Sequence, residues 1–96
     1  MAQIMVTSSE LRKKAEELRN LNSQFNSKVE ELSNDELNMA SKWEGEARDA
    51  FHNAFNMDKV KWSDFYAAIN QYATALETIA AEYERKEAEN VVIASN

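Results

Sequence analysis

Between Phe51 and Tyr83, apolar residues recur in alternating steps of four and three. The series is Phe51, Phe55, Asp58, Trp62, Phe65, Ile69, Tyr72, Leu76, Ile79 and Tyr83, and nine of its ten members are apolar. A helix brings residues three and four apart onto one face, so this spacing marks a helix packed lengthwise on another. An earlier segment repeats the pattern through Leu11, Ala15, Leu18, Asn22, Phe25, Val29, Leu32, Glu36, Met39 and Trp43, with eight of ten apolar. In the later segment a neighbouring stripe adds Ala54, Tyr66, Ala73 and Ala80. A face that wide predicts contact with more than one neighbouring helix.

Composition excludes the main competitors. Gly occurs once, at Gly45, and Pro is absent. A sandwich or barrel needs frequent turns, which lean on both residue types, and one Gly cannot build a phosphate-binding loop. The net charge of -6 argues against nucleic acid, which calls for a basic stripe, and against docking on an anionic membrane. With no Cys there is no disulfide, thiolate nucleophile or Cys-ligated metal. No apolar run approaches the ~20 residues that span a bilayer. Met1 to Thr7 has neither a basic region nor a long apolar stretch, so export, if it occurs, is expected without a cleaved signal peptide.

Local signals divide the chain. Thr7-Ser8-Ser9-Glu10 reads as a capping box. The single Gly falls between the two seams, making Trp43-Glu44-Gly45 the natural turn, with Glu46 and Asp49 in the next first turn, where the dipole favours acids. Ser33-Asn34-Asp35-Glu36 reads either as a break or as the polar face of an unbroken helix, and Leu37 and Ala40 offer a competing stripe there. The expectation is one all-α domain over 1–96: helix 1 near 8–41, turn 42–45, helix 2 near 46–88, and a flexible tail at 89–96. Antiparallel pairing gives a helical hairpin.

A lone hairpin leaves much of the wide stripe wet. The economical solution is an elongated four-helix bundle made from two chains, the mate being the chain itself or a similar hairpin. The expected core and dimer seam comprises Leu18, Phe25, Phe51, Phe55, Trp62, Phe65, Tyr66, Ile69, Tyr72 and Leu76. Helix 2 is the longer, and in an antiparallel dimer its overhang points toward the partner's turn, bringing Tyr83 of one chain toward Trp43 of the other.

Trp43-Glu44-Gly45 between two amphipathic helices, in a chain just under a hundred residues, resembles the Trp-X-Gly (WXG) family of small type VII (ESX or Ess) secretion proteins, related to the early secreted antigenic target of mycobacteria. Ile4, Leu11 and Ala15 resemble its helix 1 positions. Ala47, Phe51 and Phe55 follow the turn as in the family, and Leu76, Ile79 and Ala80 sit in its late helix 2 seam. Tyr83 and Glu87 resemble its C-terminal Tyr-X-X-X-Asp/Glu export signal, with Glu the less typical ending. The resemblance implies a folded hairpin dimer, assembled in the bacterial cytoplasm and secreted without a cleaved signal. It also implies a turn motif of Trp43 and Gly45, an export signal of Tyr83 and Glu87, and recognition by an FtsK/SpoIIIE-type membrane ATPase. Val91, Val92 and Ile93 read either as a frayed tail or as a docking segment for that ATPase.

No catalytic, cofactor-binding or metal-ligating residues are expected. His52 is the only histidine. Asp49-x-x-His52 falls short of the paired motifs that a helical carboxylate metal site requires, so His52 reads as a rim residue. Asp58, polar within the seam, reads as a register device. The alternative to secretion is a cytosolic coiled-coil adaptor or scaffold; a membrane-active hairpin ranks behind both, and no stable insertion is expected.

Overall fold

The computed structural model describes residues 6–95, with side chains through 89. Two helices make up the fold: α1, Ser8–Ala40, and α2, Glu46–Ser95. They lie antiparallel in a hairpin of 77 × 22 × 20 Å. Thr7 caps α1, its hydroxyl accepting from the Glu10 N–H at 3.1 Å.

No break occurs at 33–36. Ser33 donates to the Val29 carbonyl at 2.8 Å, which satisfies the hydroxyl within a continuous helix. The sequence ends helix 2 near 88 and assigns a tail to 89–96; the backbone instead continues helical to Ser95. Nothing in that stretch breaks a helix, since it lacks Gly and Pro. Arg85 and Glu89 add an i,i+4 pair at 3.3 Å. The β-branched residues Val91, Val92 and Ile93 cost only tenths of a kcal/mol each in helix propensity. Their side chains lie outside the described residues, as does Ile4.

The apolar series divides between two surfaces. In α1, Ala15, Asn22 and Glu36 are buried and Val29 is half-buried, whereas Leu32 and Met39 are exposed. In α2 the buried residues are Ala73 and Ala80, from the neighbouring stripe, with Tyr66 and His52 half-buried. Phe51, Asp58, Phe65, Tyr72 and Ile79, members of the main series, are all exposed. The contact with α1 is therefore centred one residue along from the predicted seam. Apolar spacing locates an arc, and an arc wider than one helix does not reveal its own centre. Among the described residues the buried apolar ones are all alanines: Ala15, Ala40, Ala73 and Ala80. Large side chains collect at the sides.

Two polar contacts fix the register. The Asn22 amide donates to the Tyr66 carbonyl at 2.9 Å and to Asn70 Oδ1 at 3.0 Å. Nearer the turn, the buried carboxylate of Glu36 meets His52 Nδ1 at 2.5 Å, and Asn56 lies 3.2 Å from His52 Nε2. In the tautomer that carries its proton on Nδ1, His52 donates to Glu36 and accepts from the Asn56 amide at Nε2. His52 is thus part of the interhelical contact rather than a rim residue. Asp58 is not the buried polar residue of the seam; it is exposed, with Lys61 at 3.8 Å. Asn22 and Glu36 occupy that role, because their positions, not Asp58, face the opposite helix.

Candidate functional site

The turn is built around Gly45, whose φ is +112°. Nothing lies within 4 Å of where a Cβ would stand, so Gly is required here by backbone conformation and not by space. Its carbonyl accepts from the Asp49 N–H at 3.2 Å, opening α2. The last carbonyls of α1 also find donors. Ser41 N–H reaches Leu37, Lys42 N–H reaches Met39, and Arg48 Nε reaches Ala40 at 3.2 Å. Arg48 also holds Asp49 at 3.1 Å. Sequence reasoning missed Arg48, since no local spacing announces a side chain that folds back from one helix onto the end of another.

Trp43 leans over the start of α2, its ring 6.0 Å from Phe51. From there the aromatic contacts run on through Phe55 at 6.4 Å and Trp62 at 5.4 Å. Trp43 keeps 36% of its surface exposed. It covers one end of the seam and presents an edge outward.

At the far end, Arg12 bonds Glu84 through Nε at 2.9 Å. Arg19 bonds Glu77 at 2.7 Å and Thr74 at 3.0 Å. The Arg19 guanidinium holds the Glu77 carboxyl below the usual carboxylate range, while the hydrogen bond from each arginine to its glutamate raises Arg12 and Arg19. Tyr83 is half-buried beside this end and Glu87 is exposed. Trp43 and Tyr83 stand at opposite ends of one hairpin, separated by roughly 60 Å of helix rise. A single chain does not bring them together.

On the side away from the arginine pairs, the expected seam residues form a continuous apolar flank. Phe25 and Phe65 meet edge to face at 5.3 Å. Leu18, Leu21, Phe25, Phe65 and Ile69 line a groove there. Phe51, Phe65 and Tyr72 are exposed; Leu18, Phe55, Trp62, Tyr66 and Leu76 are half-buried. Burying such side chains stabilises by about 1.5–3 kcal/mol each, more than the alanine seam can supply. Among the described residues no group of His, Asp and Glu is arranged to hold a metal ion, and no helix is long and apolar enough to cross a membrane.

A two-helix chain with a Trp-x-Gly turn and an open apolar flank is a helical-hairpin protein. The model of the WXG100 family, proteins of 100 residues with WXG, matches residues 3–88, and the chain belongs to that family. Membership associates it with type VII secretion. Among solved structures it resembles the secreted protein EsxB of Bacillus anthracis strain Sterne, with a TM-score of 0.80 and 23% identity over 91% of this chain and 99% of that one. The wild-type protein in space group P21 gives a TM-score of 0.78 and 24% identity, covering 88% of this chain and 97% of that one. These likenesses establish the fold. No curated protein matches the sequence.

Proposed function

We propose that the chain is a small, non-enzymatic substrate and co-export partner of a type VII secretion system, exported as a folded dimer. The observation that carries this is the separation of Trp43 from Tyr83 along one hairpin. A signal composed of both is assembled only when a mate lies antiparallel, so that the overhang of α2 reaches the mate's turn. With 50 residues in α2 against 33 in α1, the excess is about 25 Å of rise. Tyr83 and Glu87 are i,i+4 and share one face of that overhang. In this reading Trp43 and Gly45 form the turn half of the signal, and Tyr83 and Glu87 the tail half. Val91, Val92 and Ile93, on the last turns of α2, dock on a membrane ATPase of the FtsK/SpoIIIE type. Secretion of the EsxB relatives supports the same conclusion.

The test is release to the medium with helicity measured in parallel. Trp43→Ala and Tyr83→Ala are each expected to retain the helical circular dichroism spectrum and to abolish release. Unaltered release of both removes the signal assignment. Retention of the unaltered chain inside the cell, with the secretion machinery expressed, replaces the reading with that of a cytosolic adaptor.

A further inference from the structure

We infer that the groove between Phe25 and Phe65 binds a small neutral aromatic molecule with one N–H or O–H donor, of the indole or phenol class. The observation that points to a ligand lies at its floor. Asn22 is 3% exposed. Its Oδ1 is the one buried side-chain polar atom among the described residues that lacks a hydrogen-bond partner. A buried acceptor left unpaired is costly. The orientation of the amide is fixed by its neighbours. The Tyr66 carbonyl can only accept, so the atom 2.9 Å from it is the nitrogen, which also reaches Asn70 Oδ1 at 3.0 Å. The nitrogen is thereby committed to α2, and the oxygen is the group left over beneath the groove that Asn22 lines.

The lining selects the ligand. The groove holds about 290 Å3, and its other walls are Leu18, Leu21, Phe25, Phe65 and Ile69. None of these side chains is charged, so an ion would lose its hydration and gain no partner. A purely aliphatic ligand would cover the oxygen and leave it unpaired. Phe25 and Phe65 meet edge to face at 5.3 Å, an arrangement that a third ring extends with the same kind of contact. Leu21 and Phe65 are both exposed at the mouth, which leaves entry open to a planar molecule. The volume lies at the small end of ligand sites and fits one or two fused rings. Indole and simple phenols combine apolar faces, no charge and a single donor for Asn22 Oδ1.

The site itself requires no mate. On the dimeric reading above, ligand and mate claim the same flank, so the bound aromatic keeps the hairpin from its mate.

The test uses the purified full-length chain with indole and with benzofuran, an isostere in which an ether oxygen replaces the N–H. Calorimetry gives the affinities, and NMR follows the Asn22 side-chain amide and the Leu18 and Ile69 methyl groups. Indole is expected to saturate, to shift those resonances, and to bind about 10-fold more tightly than benzofuran. In Asn22→Leu that preference is expected to vanish. The variant also loses the bonds to Tyr66 and Asn70, so the two ligands on the unaltered chain decide the matter even where it fails to fold. Any dimer is expected to sediment as the lighter single hairpin in saturating indole. Equal affinities overturn the role of Asn22. Absent binding, or unsaturable shifts scattered beyond the groove, overturn the site. A dimer unchanged by indole that fills the groove overturns the competition.

Discussion

Along one flank of the hairpin, arginines of α1 reach glutamates of α2, closing the chain on itself between Arg12–Glu84 and Arg19–Glu77. Along the other, Phe65, Tyr72, Ile79 and Leu32 stand exposed. Both flanks border the same alanine seam, and the two helices contribute to each. The contrast shows how the free energy of folding and of association is divided. Exposed ion pairs contribute little and orient the helices. The apolar surface contributes much, and only when a second body covers it. On the dimeric reading proposed above the chain is one half of a bundle, and its stability is then expected to rise with protein concentration.

The largest expected effect breaks the open flank. Phe65→Glu places a charge on the exposed apolar flank and, on the dimeric reading proposed above, should weaken association with the mate more than about 1,000-fold, read by sedimentation, with the hairpin still helical. Next is the polar contact inside the seam. Glu36→Ala leaves His52 Nδ1–H without its acceptor and should cost about 1–3 kcal/mol, measured by urea unfolding at fixed protein concentration. Gly45→Ala forces a Cβ onto a backbone at positive φ and should cost roughly 1–2 kcal/mol; a thermal melt without loss would show that the turn relaxes.

The smallest effect belongs to the closed flank. Glu77 has its pKa lowered in the folded chain by Arg19, so its contribution is present above the unfolded carboxylate range and is lost as pH falls through the folded pKa. Glu77→Gln should therefore be slightly less stable than the parent near neutral pH. That difference should vanish in acid, below the ordinary carboxylate range, and shrink in high salt. A difference that survives acid would assign the effect to packing.

Much of this was legible in the residues. The two helices, the turn at Trp43–Gly45 and the all-α class follow from spacing and from one glycine in a chain without proline. The Thr7 cap was readable because its partners are three residues apart. The seam was legible as an arc and misread in its centre. Asp58 and Glu36 both interrupt an apolar series by one polar residue, and nothing local tells the buried one from the exposed one. His52 was misread as a rim residue and Arg48 was missed for the same reason, since each finds its partner on the other helix.

The sequence by itself determined the periodicity, the helix starts and the position of the turn, because these depend on neighbours within about four residues. Only the tertiary structure decided which half of each stripe faces inward and which carboxylate is buried. It alone joined Phe25 to Phe65 across the groove. Those choices depend on the rotation of one helix against another, which is set by close approach at the alanines and by the Asn22 and Glu36 contacts. No residue encodes that angle alone.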